Sequence, residues 1–317
     1  MKKLLAIRND RLGDLILTLP ALRIIKKSIP DIQVDCLVDS KYIEISELSN
    51  DIDNIITENN LMDCLSNKNY DFCISFFSTF RIGYKLWQAH IESRYAPATK
   101  IAQFFYNKTI KQKRSQSLKP EYEYNNDLAE FFLKDNGYID NSMDEPLIEI
   151  NNNEKYKNQS QKIIYIHPFT GGSSKTLSEN DFTRLCYELD KLCNCKFILH
   201  CDDIDYKKCE IIRNKNSNLD ISIINPTSSL KEMFLNISKC DLFIAGSTGP
   251  LHVAASMNKK TVGFYPSKTS SSSLRWDTIN DDSIKLCFSD SDDNKHLENI
   301  NIDIERTAKS IYEKLLS

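Results

Sequence analysis

Short apolar runs alternate with helical patterns along the first half of the chain. Residues 4–7 form an apolar run that predicts a buried strand, and apolar side chains then recur at helical spacing from Leu15 to Ile25. Further strands are predicted at 32–38, 54–57 and 72–76. Strand, helix and strand in this rhythm predict a parallel sheet with crossover helices.

The same rhythm restarts behind a polar stretch at 151–161, which has no apolar periodicity and predicts a linker. Strands are predicted at 163–166, 196–199, 242–245 and 261–264, and helices at 181–192 and 303–316. The chain is therefore expected to be an α/β protein with two halves, each built on a parallel sheet. Because such folds bind ligands at the carboxyl ends of their strands, the expected site is a cleft between the halves.

Composition narrows the class of protein. A chain of 317 residues exceeds what one hydrophobic core usually serves, and 41% hydrophobic with 27% charged residues excludes a disordered or fibrous protein. No uncharged apolar stretch approaches the ~20 residues of a membrane span, and Arg8 and Asp10 end the first apolar run too early for an export signal. We expect a cytoplasmic protein.

Ten cysteines occur without a CxxC pair, which is typical of reduced thiols in the cytoplasm. The spacing of the densest group matches no zinc-ligand pattern; its members are Cys193, Cys195, His200, Cys201 and Cys209. No metal site is predicted.

Positive charge is concentrated in residues 81–119. This segment carries nine Lys or Arg and one acid, Glu92, so it is +8 in a chain whose net charge is −3. Six aromatic residues interleave with the cations. Such a segment suits nucleic acid, acidic lipid or an acidic sugar, or else forms a solvated helical surface. Nucleic acid is disfavoured because the rest of the chain sums to −11.

Glycine is scarce, and six of the eight glycines fall in four loops at the ends of predicted strands. One loop, 167–175, combines Gly171 and Gly172 with the hydroxyl residues Thr170, Ser173 and Ser174 and with Lys175. Backbone N–H groups beside one cation predict a phosphate-binding loop, with an ordinary turn as the alternative. Ser178 and Asp181 form a capping-box pattern, which predicts that a helix starts there.

Another glycine loop joins a predicted strand to a helix at 245–255. Ser247 or Thr248 can cap this helix, and Pro250 suits its first turn. His252 lies one turn into the helix, near its positive end. It is either a neutral donor to a phosphate or sugar oxygen, or a core histidine bonded to the backbone.

Asp14 follows Gly13 in the loop behind the first predicted strand. A carboxylate at this position either complements the positive end of the helix dipole or takes a proton from a substrate hydroxyl. The residues alone leave both roles open.

Taken together, these segments resemble glycosyltransferase family 9, the heptosyltransferases of lipopolysaccharide core synthesis. The run at 8–22 (RNDRLGDLILTLPAL) resembles the family's opening motif, 167–175 its phosphate loop and lysine, and 247–255 its donor-site signature. Residues 263–266 and 275–276 resemble its closing segments.

The resemblance implies a GT-B fold, in which two Rossmann-like domains face each other across a cleft. It implies an N-terminal acceptor domain at 1–155, a nucleotide-sugar domain at 156–300, and a C-terminal helix at 301–317 that packs back toward the N-terminal domain. It further implies inverting, metal-independent transfer of heptose or a similar sugar to an anionic acceptor of the lipopolysaccharide core or lipid A type. No cofactor is implied; the co-substrate is a nucleotide sugar such as ADP-heptose. The basic segment 81–119 would contact the inner face of the cytoplasmic membrane.

Roles for single residues also follow from the resemblance. Asp14 would be the general base, and Lys175 would neutralise the diphosphate leaving group. The substrate-binding residues would be Gly13, Arg94, Thr170, Gly171, Gly172, Ser173, Ser247, Thr248, Gly249, Pro250 and His252. No residue is assigned to a metal.

The chain departs from the family pattern at two positions. Ser247 stands where well-studied members carry Asp, which leaves the donor sugar open, and Leu177 stands where Trp is frequent. The acidic ribose contact has no clear counterpart, although three carboxylates lie near the expected place: Asp202, Asp203 and Asp205.

Two other functions are compatible with the same fold. One is a catalytically inactive paralogue that serves as a binding or assembly subunit, and the other is a sugar-nucleotide epimerase. The presence of Asp14, Lys175 and His252 favours the transferase.

Overall fold

A computed structural model describes residues 1–98, 101–140, 147–148, 161–172, 174–224, 229–290 and 298–317. The chain divides into two compact units, Met1–Glu149 and Ile150–Ser317. The sequence predicts the boundary after residue 155, a few residues later in the chain than the boundary between these two units. Most of the predicted linker, 151–160, lies outside the described residues.

The first unit is built on a six-stranded sheet. Its strands are β1 (Lys3–Ile7), β2 (Gln33–Leu37), β3 (Asn54–Ile56), β4 (Phe72–Ser75), β5 (Ser93–Pro97) and β6 (Lys108–Ile110). They lie in the order β3-β2-β1-β4-β5-β6, and every neighbouring pair is parallel. The central strand β1 is buried from Leu4 onward, because helices cover both faces of such a sheet.

Helices connect these strands. They are α1 (Leu12–Ile16), α2 (Leu19–Ser28), α3 (Ile43–Ser46), α4 (Leu61–Asn67), α5 (Phe80–Gln88) and α6 (Glu121–Asp135), with 3₁₀ turns at Ser40–Tyr42, Ile101–Phe105 and Arg114–Gln116. In neither unit does a helix of the described ranges have the length and apolar character needed to cross a membrane.

The single helix predicted from Leu15 onward is divided into α1 and α2. Pro20, in the first turn of α2, has no N–H to donate to the preceding turn, so the helix restarts there. Asn125 of α6 donates to the carbonyl of Leu17 at the break (Nδ2–O 2.8 Å), and the Thr18 hydroxyl donates to the carbonyl of Asp14 (2.9 Å). The break is therefore hydrogen-bonded on both sides.

The second unit repeats the topology of the first. Its strands are β7 (Lys162–His167), β8 (Cys195–Leu199), β9 (Asp220–Ile223), β10 (Leu242–Gly246), β11 (Lys260–Tyr265) and β12 (Lys285–Ser289). They lie in the order β12-β11-β10-β7-β8-β9, again all parallel. Counted from β7, this is the 3-2-1-4-5-6 order of the first sheet and of dinucleotide-binding folds.

The helices of the second unit are α7 (Glu179–Leu192), α8 (Tyr206–Lys215), α9 (Leu230–Lys239), α10 (Gly249–Ser256) and α11 (Ile304–Ile311), with 3₁₀ turns at Asp203–Asp205, Thr269–Ser271 and Asp282–Ile284. A π-helical turn, Tyr312–Leu316, ends the chain. The capping box predicted at the start of α7 is confirmed, since Ser178 and Asp181 each accept from the other's backbone N–H.

The C-terminal helix α11 packs against α7. Ile304, Ala308 and Ile311 share one face of α11 and are buried in the core of the second unit together with Leu185 and Leu189. The packing toward the N-terminal domain that the resemblance implies stays a prediction; the contact with α7 lies within the second unit. This contact forms because residues at helical spacing on α11 make an apolar stripe that covers the apolar stripe of α7.

A buried carboxylate joins β2 to its neighbours in the first unit. Asp35 accepts hydrogen bonds from four side chains: Gln33 (Nε2, 2.8 Å), Asn54 (Nδ2, 2.7 Å), Lys68 (Nζ, 2.7 Å) and Tyr70 (OH, 2.7 Å). Burial alone would raise the pKa of Asp35, but these donors outweigh burial, and the pKa lies below its usual value. Asp35 is therefore charged in the folded state.

We expect Asp35→Ala to lower the free energy of unfolding by about 3 kcal/mol at neutral pH, because it leaves the half-buried Lys68 and the polar groups around it without their buried acceptor. A carboxylate whose pKa is lowered by folding stabilises the protein above its unfolded pKa of about 4, and this stabilisation is lost as the pH falls through the folded pKa. The variant should therefore also show a flatter loss of stability in acid. Urea unfolding across pH measures both effects.

The matched control is Asp63→Ala, on the exposed surface of α4 in the same unit. It should change the unfolding free energy by less than about 0.5 kcal/mol. Equal effects of the two substitutions would show that the Asp35 network contributes nothing to stability.

Candidate active site

In each sheet the order of the strands reverses at one point, between β1 and β4 and between β7 and β10. The loops that leave the two strands at such a point run in opposite directions and open a crevice, which is where doubly wound sheets bind ligands. The segments singled out in the sequence lie at these two points. The short helix with Asp14 comes soon after β1, 168–175 follows β7, and 247–250 follows β10.

A buried arginine organises the crevice of the first sheet. Arg8 follows β1 directly and is 2% exposed. Its guanidinium donates to the carbonyl of Phe76, behind β4 (2.9 Å), and to Oδ1 of Asp14 (2.6 Å), and its Nε lies 3.1 Å from Oδ1 of Asp10. No role is assigned to Arg8 from the sequence. A cation directly behind an apolar strand is the feature that could have indicated a buried ion-pair site there.

Asp14 lies in the first turn of α1, one residue after Gly13, whose carbonyl accepts the N–H of Leu17. The ion pair with Arg8 uses Oδ1 of Asp14, so Oδ2 is the carboxylate oxygen that can accept a proton from a ligand. Burial raises the pKa of Asp10; Arg8 opposes the rise and the charge of Asp14 adds to it. One arginine therefore holds two carboxylates, and Asp14 is fixed in orientation at the crevice.

The loop behind β7 has the backbone that its glycines predict. Gly171 (φ +56°) and Gly172 (φ +81°) are both left-handed, a conformation that side chains with a Cβ rarely adopt. The Thr170 hydroxyl donates to the carbonyl of Ser174 (2.5 Å) and closes the loop. Ser173, predicted to bind substrate, lies outside the described residues. Lys175 is half-buried at the end of this loop.

Close packing at Gly246 joins this loop to the end of β10. A Cβ at Gly246 would lie 2.9 Å from Cγ2 of Thr170 and 3.0 Å from Oγ1 of Thr176. Only glycine lets the β7 loop approach β10 this closely. The two loops of the second sheet therefore meet at the point where the strand order reverses.

The helix α10 begins at this meeting point. Thr248 is its N-cap residue, and Gly249 and Pro250 open its first turn. Ser247, Thr248, Gly249 and Pro250 are all partly exposed. The first amides of a helix have no partner within it and carry partial positive charge, so they suit an anionic ligand.

His252 is buried in α10, 3% exposed, with its ring centroid 6.4 Å from that of Trp276. Of the two roles open at the sequence level, this burial favours a histidine of the core over one that faces solvent at the loop.

The ends of β7 and β8 are joined by two buried histidines. His167 Nδ1 lies 3.0 Å from the carbonyl oxygen of His200, and because a carbonyl only accepts, this nitrogen carries the proton and donates. Burial lowers the pKa of His167 to about 3 and also lowers that of His200. Both rings are therefore neutral at physiological pH.

Asp202, one of the three carboxylates that the sequence offers as a ribose contact, lies next to the β7 loop. Its Oδ2 is 3.5 Å from the position that a Cβ on Gly171 would take.

Lys175 lines a pocket of about 550 Å³ on the β11–β12 side of its loop. The other lining residues are Gly172, Ser174, Pro266, Ser267, Lys268, Ser271, Asp290 and Glu298. Asp290 is buried at the end of β12, where Oδ1 accepts from the N–H of Ser267 (2.7 Å). Its Oδ2 has no hydrogen-bond partner among the described residues. The sequence did not identify Ser267, Lys268 or Asp290, although an aspartate directly behind a strand is a usable signal.

Arg94, predicted to bind substrate, lies on β5. Its Nε donates to the carbonyl of Phe105 (2.7 Å) and its Nη1 to the carbonyl of Ile91. These bonds tie β5 to the segments on either side of it. Its guanidinium is therefore engaged in holding the first unit together.

The part of the chain that the structure describes contains no group of three or more His, Cys, Asp or Glu placed to hold a metal ion. The thiols of Cys193 and Cys195 lie 3.4 Å apart without further ligands of this kind.

Solved structures share the whole fold. The chain superposes on Escherichia coli ADP-heptose lipopolysaccharide heptosyltransferase II with a TM-score of 0.80 and 16% identity, covering 100% of this chain and 99% of that one. It superposes on E. coli heptosyltransferase WaaC with ADP with a TM-score of 0.77 and 14% identity, covering 98% and 99%. At these identities the likeness establishes the fold, and the protein is an α/β protein of the GT-B class.

Sequence comparison gives the family. The model of glycosyltransferase family 9 (heptosyltransferase) matches residues 59–302. A Haemophilus influenzae protein, named provisionally as a glycosyltransferase, is 32% identical over 315 residues, covering 91% of this chain and 89% of the relative. The chain belongs to glycosyltransferase family 9 and is a glycosyltransferase. The matched range contains the β7 and β10 loops and starts behind Asp14.

Proposed function

We propose that the protein transfers a sugar, heptose or a close relative, from a nucleotide diphosphate donor to an anionic glycolipid of the lipopolysaccharide core or lipid A type. Transfer inverts the anomeric carbon and needs no metal ion. The observation that carries the proposal is the junction of the left-handed Gly171–Gly172 loop and Lys175 with the N-terminus of α10, where the second sheet reverses its strand order.

The donor binds to the second unit. Its diphosphate accepts hydrogen bonds from amides of the β7 loop and from the first turn of α10, and Lys175 adds a full positive charge. The pocket beside Lys175 receives the sugar, whose hydroxyls find acceptors in Asp290 and Glu298. ADP is the first nucleotide to test, because one solved relative of the same fold carries ADP.

The acceptor binds to the first unit. Its hydroxyl oxygen attacks the anomeric carbon of the donor, the bond from that carbon to the phosphate oxygen breaks, and the nucleoside diphosphate leaves with the electron pair. Asp14 takes the hydroxyl proton, held in orientation by Arg8 (2.6 Å). Lys175 neutralises the charge that develops on the leaving diphosphate, which is the task of a divalent metal in other transferases.

The chemistry of the acceptor also determines where the enzyme works. A glycolipid is presented at a membrane, so the proposal includes peripheral contact at the inner face of the cytoplasmic membrane through the basic segment 81–119. The first unit carries this segment on α5, β5, β6 and the turns between them.

We expect Lys175→Ala to weaken binding of nucleoside diphosphate sugars at least tenfold, because it removes a charge-assisted contact of about 1.5–3 kcal/mol. Isothermal titration with ADP-, GDP- and UDP-sugars measures the effect and identifies the base. The matched control is Lys207→Ala, an exposed lysine on α8 of the same unit. Equal affinity of Lys175→Ala and Lys207→Ala would remove Lys175 from the donor site.

We expect Asp14→Asn to slow transfer by about 10²- to 10⁴-fold with unchanged donor affinity, because it removes the proton acceptor and keeps the shape. Asp63→Asn, in the first turn of α4, is the matched control and should keep the full rate.

The same transfer assay in EDTA tests whether the reaction needs a metal ion. We expect the full rate; a loss of rate that added magnesium restores would contradict a metal-free mechanism. Donor binding without turnover in the unmodified protein would instead indicate an inactive paralogue.

A further inference from the structure

We propose that an exposed aromatic patch on the first unit inserts into the surface of an anionic lipid bilayer and carries most of the binding energy of the enzyme for the membrane. The patch consists of Phe80, Tyr84, Trp87, Ile101, Phe104 and Phe105. The choice of a membrane as partner rests on the proposed function, and the patch names the surface that makes the contact.

The helix α5 presents an apolar stripe to solvent. Phe80, Tyr84 and Trp87 follow one another at i, i+4 and i+7 and share a face, while Ile82 and Leu86 are buried against the core. Phe80 is 60% exposed and Trp87 49%. A helix that is apolar on its core side is expected to be polar on its outer side, so the stripe is unusual for a surface that meets only water.

A 3₁₀ turn behind β5 extends the stripe into a patch. Phe104 is 80% exposed in this turn, and Ile101 is also exposed. Phe105 packs edge-on against Phe80 (ring centroids 4.9 Å apart) and Tyr84 (5.9 Å). A Cβ at Gly83 would lie 2.9 Å from the Phe105 ring, so glycine lets the turn sit directly on α5. The rings of Phe80, Tyr84, Trp87 and Phe105 therefore form one contiguous surface, and Phe104 adjoins Phe105 in the same turn.

The positive charge of segment 81–119 is smaller in the fold than in the sequence. Four of its nine cations pair with acids outside the segment: Arg81 with Glu58 (2.8 Å), Lys108 with Asp135 (3.0 Å), Arg114 with Glu121, and Lys119 with Asp127 (2.6 Å). A cation paired with an acid in this way leaves little net field at a distance, because the opposite charges cancel and salt screens what remains. Charge alone is therefore a weaker source of membrane affinity than +8 implies, and the aromatic patch is the larger one.

The chemistry of the patch matches a bilayer interface. Tryptophan and tyrosine prefer the headgroup region, where an apolar ring and a polar edge are both accommodated, and phenylalanine adds apolar area below it. Lys85 stands beside Tyr84 on α5, where a long apolar stem and a charged end can reach anionic headgroups. Arg81 is paired but exposed, so it can exchange Glu58 for a lipid phosphate.

The test is flotation of the intact protein with vesicles of phosphatidylcholine, with and without phosphatidylglycerol, and no substrate present. We expect binding to the anionic vesicles to fall about tenfold for Phe104→Ser and for Trp87→Ser, because each removes apolar area from the contact. Raising NaCl from about 0.1 M to about 0.5 M, which shortens the Debye length to about 4 Å, should weaken wild-type binding less than about threefold. Lys85→Glu should have a smaller effect than either aromatic substitution.

Matched controls separate the patch from general effects. Tyr187→Ser replaces an aromatic residue of the second unit that is 46% exposed and should bind vesicles like the wild type. Lys175→Ala should also bind vesicles normally, and Trp87→Ser should bind nucleoside diphosphates normally. A loss of membrane binding can therefore be distinguished from a loss of donor binding.

Three results would overturn the proposal. One is vesicle binding that Phe104→Ser and Trp87→Ser leave intact. Another is binding that disappears at high salt but survives both substitutions, which would assign the contact to charge. The third is a concentration-dependent dimer that Trp87→Ser dissociates, in a protein that does not bind vesicles, which would assign the patch to a second copy of the chain.

Discussion

The reversal of strand order between β7 and β10 is the constraint on which the candidate donor site depends. Parallel strands need long connections that run over the sheet, and at this point the connections leave in opposite directions. The carboxyl ends of both strands are therefore left uncovered by helices. The requirement for glycine follows directly. Gly246 makes room for Thr170 and Thr176, while Gly171 and Gly172 turn the chain through left-handed conformations.

The first sheet reverses in the same way but fills its crevice differently. There a charged group, Arg8, is buried at the point of reversal, and burial of a charge is costly unless it is fully paired. Asp10, Asp14 and the Phe76 carbonyl supply the pairing. Two copies of one topology thus provide two kinds of chemistry. Backbone amides and a lysine on the second sheet suit an anion, and an oriented carboxylate on the first suits a proton.

The central strands and the loops behind them could be predicted from the sequence, because strands buried on both faces read as unbroken apolar runs. Four other strands could not be predicted. They are β5 and the edge strands β6, β9 and β12. In β9 partly buried Ile221 and Ile223 alternate with exposed residues, and such a pattern over four positions is indistinguishable from a loop. The glycine loops were visible because glycine is otherwise rare in this chain, and the left-handed Gly171 and Gly172 confirm the reasoning for the β7 loop.

Features made by residues far apart in the sequence were not predictable. Arg8 is fixed by Phe76 and Asp290 by Ser267, and four of the nine cations of 81–119 pair with acids outside the segment, such as Glu58 and Asp135. A local count of charge could not include those partners. The aromatic residues of that segment were visible one by one, but their union into a single patch depends on the 3₁₀ turn that seats Phe105 on α5.

The most direct test of the donor site is a map of backbone amide chemical shifts in the intact protein as ADP is added. We expect saturable changes at the β7 loop, from Thr170 to Lys175, and at the start of α10, from Ser247 to Leu251. Both sets of changes should give one affinity. Saturable ADP binding that leaves both loops unchanged and perturbs another surface would contradict the proposed donor site.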